Sequence, residues 1–186
     1  MALKRLVIDG FGQLELNNVF FRRSGSIEAQ CFLDETDFAD VPAENGMLLA
    51  VDRVNRLVKF PVDDSLPIAL NYTTEHGYDE RTPGLKNFKL DRGEFLPRLG
   101  YLSAGELWTT NCLCYDDSEF TNDEAVFEAV KDKETLTSNP VYGGISEVGA
   151  TKLSKTKPTA GPVLRVVEKT TMPDGQFAVK FQVVKA

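Results

Sequence analysis

The chain has 186 residues, 42% of them hydrophobic, and 21 Lys and Arg against 28 Asp and Glu give it a formal net charge of −7. That length suits one large or two small domains with an ordinary apolar core. The acidic balance argues against a general attraction to nucleic acid or to anionic membrane, both of which draw on a surplus of Lys and Arg. No apolar run approaches bilayer-spanning length, and Asp9 and Glu15 interrupt the opening stretch where a signal peptide would be continuously apolar. The expectation is a product made and kept in a cytoplasm. Three cysteines, Cys31, Cys112 and Cys114, cannot pair completely and lack the spacing of a disulfide framework, which fits that compartment.

In chain order, residues 2–9, 13–23 and 26–33 read as a β-meander punctuated by Gly10, Gly12 and Gly25. A polar connector follows, then a hairpin with arms at 47–51 and 57–60 and a further strand at 67–74. From 76 to 92 the pattern weakens around Gly77, Pro83 and Gly84, which marks a crossover or linker. Beyond it, alternation over 108–115 places Trp108, Thr110, Cys112 and Cys114 on one face of a strand and Thr109, Asn111, Leu113 and Tyr115 on the other. One short helix is expected near 122–133, with Thr121 and Glu124 as a capping box and Ala125, Val126, Ala129 and Val130 as its apolar stripe. The chain closes on a hairpin, 163–168 and 177–184, around Met172-Pro173-Asp174-Gly175, where Pro173 pre-sets φ and Gly175 accepts a positive φ. The predicted fold is therefore mainly β. It has two small β-rich modules, barrel-like or sandwich-like, at 1–75 and 93–186, the second barrel-like and carrying the helix.

Catalytic chemistry finds little to stand on. The single histidine, His76, lies beside Glu75 and Gly77 in a turn-like segment and reads as a solvated loop residue. The chain has no G-x-S-x-G elbow, Gly-rich phosphate loop or H-E-x-x-H pair. Cys112 and Cys114 form a C-x-C pair whose only further zinc ligands would be Cys31 and His76; two small residues on a core face explain them as well. Asp34, Asp37 and Asp40, and Asp116, Asp117, Glu119, Asp123 and Glu124, lack calcium-loop spacing, although a weak site near 116–119 stays open. No cofactor or metal is expected. More telling are Phe20 and Phe21, which on a strand face opposite sides of the sheet, followed at once by Arg22 and Arg23. An aromatic with Arg is the composition of an interface centre, so Phe20, Phe21, Arg22 and Arg23 are the candidate contact residues.

Three segments, LPRLGYLSAGELWTTNCL, NPVYGGISEVGATKL and TTMPDGQFAVKFQVV, together resemble the auxiliary capsid proteins of tailed bacteriophages, called decoration or cement proteins. The run from Gly105 to Asn111, the Gly143-Gly144 turn, and Pro173-Asp174-Gly175-Gln176 ahead of the terminal strand carry the likeness. The resemblance covers about half the chain and implies a non-enzymatic virion protein, assembled in the host cytoplasm. Such a protein binds the major capsid protein on an assembled shell and stabilises contacts between capsomers, alone or as a homo-oligomer. It has no direct nucleic-acid or membrane contact. The competing expectations are another phage structural component, at the head–tail joint, tail or head fibre, and a cytoplasmic metal-binding β-barrel protein.

Overall fold

The computed structural model describes residues 2–19, 21, 26–73 and 85–186. The first half contributes β1 (Leu3–Arg5), β2 (Leu14–Glu15), β3 (Ile27–Glu28), β4 (Phe32–Leu33), β5 (Leu48–Asp52), β6 (Leu57–Lys59) and β7 (Ile68–Asn71). The second half contributes β8 (Leu99–Gly100), β9 (Leu107–Thr110), β10 (Leu113–Asp116), α1 (Asp123–Ala129), α2 (Lys133–Ser138), β11 (Tyr142–Gly144), β12 (Thr151–Ser154), β13 (Val163–Thr171) and β14 (Phe177–Lys185). The protein is mainly β, as its periodicity indicates, and its β-rich units are two sheets. The eight-stranded one runs β1-β10-β12-β11-β13-β14-β9-β2 and the six-stranded one β3-β8-β7-β5-β6-β4. The sheets exchange strands across the chain: β1 and β2 join strands of the second half, and β8 joins those of the first. Residues 74–84, which include the last position of the expected strand at 67–74 and part of the weakly patterned stretch, lie outside the described residues, while Ala43 and Leu90 form an antiparallel bridge.

The eight-stranded sheet is strongly curled, and the connection between β9 and β10 requires it. Those strands are five places apart in the sheet order, about 24 Å if the sheet were flat at roughly 4.8 Å per strand. The chain passes from one to the other through Asn111 and Cys112 alone, three Cα steps of about 3.8 Å each. Only a sheet whose ends curve toward each other allows that step. The turn is pinned by the Cys112 amide donating to Thr110 Oγ1 at 3.0 Å and the Leu113 amide to the Asn111 carbonyl at 2.9 Å.

This turn also corrects the expected strand over 108–115. Trp108 packs in one core with Leu113 and Tyr115, while Cys112 and Cys114 pack in the other. Two residues spent on a turn shift the alternation, so Trp108 parts from Cys112 and Cys114, while those two still share a side and Leu113 and Tyr115 share the other.

The first core lies inside the curl: Trp108 and Phe181 have ring centroids 5.8 Å apart, and Leu153, Leu164 and Val179 surround them. The second gathers Met47, Leu49, Val51 and Leu99 against Cys112, Cys114 and Ala150. Leu48 belongs to the first core and its neighbour Leu49 to the second, so β5 is covered on both faces. A strand buried on both sides needs a continuous apolar run, and this is why Met47-Leu48-Leu49-Ala50-Val51 does not alternate.

The expected single helix is two. α1 ends at Ala129 and α2 begins at Lys133, with Asp132 capping α2 by accepting from the Thr135 amide at 2.7 Å. The cap of α1 is Asn122, not Thr121: its side-chain oxygen accepts from the Ala125 amide at 2.9 Å. Both caps have the extended backbone that an N-cap needs, and a second cap within ten residues divides the stretch. In the terminal hairpin, Gly175 adopts φ +85° and the Met172 amide closes the turn onto the Gln176 carbonyl at 2.8 Å. Bulges fall between Val163 and Leu164 and between Val166 and Glu168, so Arg165 and Glu168 are both exposed despite their odd spacing.

Candidate interaction surface

Of the four contact residues nominated from sequence, Phe20, Arg22 and Arg23 lie outside the described residues, as does His76. Phe21 is described and is a core residue, 7% exposed and stacked on Tyr72 with ring centroids 4.7 Å apart. β2 ends at Glu15 and Phe21 has φ +41°, so strand alternation does not reach it. Gly100 makes room for its ring, since a Cβ there would lie 2.1 Å from a ring carbon.

The three thiols are interior. Burial pushes Cys112 up to about 12 and Cys114 up to about 11, and it raises Cys31 as well. The guanidinium of Arg5 lies 3.8 Å from the Cys112 sulfur, a poor neighbour for a metal cation. Among the described residues no three His, Cys, Asp or Glu side chains are grouped to hold a metal. A thiol held neutral by burial favours the native state while it stays protonated. That contribution is complete below the ordinary value of 9.0 and is lost as pH rises toward 12. Ellman's reagent at about pH 8 is therefore expected to label Cys112 and Cys114 only after denaturation, with the unfolding midpoint falling above about pH 9. Stoichiometric labelling of both in native protein would contradict this placement.

The acidic clusters work as local anchors. Asp34 accepts from the amides of Thr36 and Asp37 at 2.9 and 3.2 Å, and Asp37 from the Phe60 amide at 2.7 Å. Asp116 accepts from the Ser118 amide at 2.9 Å, which with the Ser118 hydroxyl holds its carboxyl below the usual range. Glu119 accepts from the Ser154 hydroxyl and, at 2.6 Å, from the Lys155 amide.

The ion pair between Arg5 and Glu44 has no signature in the sequence. Arg5 donates to both carboxylate oxygens of Glu44, at 2.8 and 2.9 Å, and the Gly12 amide donates to the same carboxylate at 2.6 Å. The Glu44 side chain is 7% exposed and that of Arg5 32%. The pair ties β1, in the eight-stranded sheet, to the segment entering β5 in the six-stranded one. Nothing in LKRLVID or VPAENGM announces it, because the partners are 39 residues apart and neither belongs to a motif.

Among the described residues, the exposed phenylalanines gather at one place on the surface. Among the described residues the exposed large hydrophobic side chains are Val7, Ile27, Phe32, Val41, Val54, Val62, Phe95 and Val184. The two phenylalanines, 54% and 45% exposed, line the same open groove of about 770 Å³, together with Leu33, Leu57 and Leu96. Phe32 is outward because Cys31 and Leu33 on either side of it are buried at 2% and 5%, and it lies on β4, the edge of the six-stranded sheet. Arg56 lies over its ring at 5.7 Å, and Arg92 pairs with Glu35 at 3.5 Å on the rim. An open, apolar-floored groove with charged edges suits a protein surface better than an enclosed small ligand. In comparison with known proteins, no family model, no curated protein and no solved structure matches the chain.

Proposed function

We propose that this is a non-enzymatic structural protein of a tailed-bacteriophage particle, which binds the major capsid protein on the outside of the assembled shell and stabilises contacts between capsomers. The observation that carries this reading is spatial. Of the three segments that resemble decoration proteins, the first supplies β8 and β9, the second β11 and most of β12, and the third β14 with the last two residues of β13; β9 and β14 are neighbours in the eight-stranded sheet, β11 reaches them through β13, and β8 lies in the six-stranded sheet. Trp108 of the first segment and Phe181 of the third are paired across β9 and β14, with ring centroids 5.8 Å apart. Parts of the first and third segments, more than 60 residues apart in the chain, are therefore direct neighbours in one sheet, which supports reading them together.

A shell-binding protein needs rigidity and repetition, since many weak contacts on a lattice add through avidity. A curled sheet around a dense core supplies the rigidity. The test is co-sedimentation of the purified protein with emptied phage heads that lack it, before and after expansion. Saturable binding confined to expanded shells is the expected result. Absence of binding to either form would overturn the reading and favour a joining or tail component.

A further inference from the structure

We infer that the groove between Phe32 and Phe95 is a self-association surface, at which a second copy of this chain packs across a twofold axis. Both exposed phenylalanines of the described residues line it, with Leu33 and Leu57 behind them. Phe95 is also backed by Phe88, ring centroids 6.4 Å apart, so the groove wall is a supported aromatic. An apolar surface of this kind loses contact with water when it is covered.

Charge selects the occupant. The whole chain carries −7, so two copies brought together on an average part of the surface repel each other. At the groove the balance is different: Glu35 and Glu94 are matched by Arg92 on the rim and by Arg56 over the Phe32 ring. Two carboxylates against two guanidiniums leave the patch neutral. The arrangement is also self-complementary. A twofold interface apposes the same patch from both copies, so Arg92 of one copy meets Glu35 of the other and the reverse contact forms with it. The Glu35 side chain is 87% exposed even while paired with Arg92 in its own chain, which leaves it free to accept a second guanidinium. A strongly basic or strongly acidic partner would gain nothing from a neutral rim. The pairing does not depend on shell binding, because it is a property of the free protein.

Sedimentation equilibrium of the full chain from low to high micromolar concentration tests it. The expected result is a monomer–dimer equilibrium whose dissociation constant rises about tenfold or more in Phe32→Asp, as for loss of a central aromatic anchor. Glu35→Arg and Arg92→Glu are each expected to weaken the dimer, and an equimolar mixture of the two to restore it as a heterodimer, because both contacts across the axis are then of opposite charge. A wild-type chain that remains monomeric throughout would overturn the pairing, as would a dimer indifferent to Phe32→Asp or a mixture that does not recover. A monomeric wild type whose shell binding is lost in Phe32→Asp would overturn it too, by assigning the groove to the capsid.

Discussion

Replacing Trp108 by alanine is expected to destabilise the protein by about 3–5 kcal/mol, the range for removing a large aromatic side chain from a core that cannot collapse around the void. Trp108 is fully buried, pairs in register with Phe181 across β9 and β14, and lies against its ring. The strands on either side fix the backbone, so the vacated volume is not refilled cheaply. Its indole nitrogen has no hydrogen-bond partner among the described residues, so the tryptophan already bears the cost of an unsatisfied donor. Trp108→Phe removes that donor while keeping most of the volume, and its loss should be well under half that of the alanine variant. Urea unfolding checks both: the midpoint moves and the slope is retained if packing alone has changed. A Trp108→Ala midpoint equal to that of wild type would contradict the placement of this residue at the centre of the core.

Removing the carboxylate of Glu44 is the second large effect. Glu44→Ala leaves the Arg5 guanidinium and the Gly12 amide without their acceptor in a part-buried position. Breaking a buried pair on one side costs about 3–5 kcal/mol. Arg5 is one-third exposed, so it regains some hydration and the loss falls at the lower end, about 3 kcal/mol. For a chain of this length that corresponds to a melting temperature lower by roughly 6–12 °C. The double variant Arg5→Met with Glu44→Leu removes both charges together and should recover much of the loss, since apolar replacement of a whole buried pair is often close to neutral. Thermal melts of wild type, single and double variants decide it. A double variant worse than Glu44→Ala would mean that the pair contributes more than the relief of an isolated charge.

The parts of the fold legible in the sequence are those governed by local rules. The terminal hairpin follows from period-two alternation and a Pro-Asp-Gly turn, and β5 and β6 from an apolar arm, a polar turn and a second arm. The second-helix cap at Asp132 is equally local, since Asp followed by Glu and Thr is a cap signal that divides the expected helix. What the sequence does not display is where tertiary structure overrides alternation. The turn at Asn111 and Cys112 carries no Gly or Pro, because its geometry is held by the Thr110 hydroxyl and not by backbone permissiveness. Strand exchange between the sheets is invisible for a similar reason, since β1 and β2 are too short to carry a periodic signal and acquire their pairing from distant partners.

The candidate surface was partly readable. The adjacent phenylalanines at 20 and 21 are conspicuous in the sequence, yet Phe21, the described one, is inside. The groove residues were available by the same alternation argument: in Gln30-Cys31-Phe32-Leu33-Asp34 the flanking Cys31 and Leu33 are the apolar pair that turns inward, which directs Phe32 out. Phe95 gave no such signal, because its neighbours Glu94 and Leu96 belong to no periodic element, and its meeting with Phe32 depends on how residues 92–96 approach the β4 edge.

The central claim, that this protein reads an assembled phage shell, is tested most directly by counting copies in the pellet when it is sedimented with expanded heads that lack it. Mass spectrometry of the saturated pellet should give a simple fixed ratio to the major capsid subunit, with none retained on unexpanded shells. A pellet without the protein, or one whose content rises without saturation, would contradict the account.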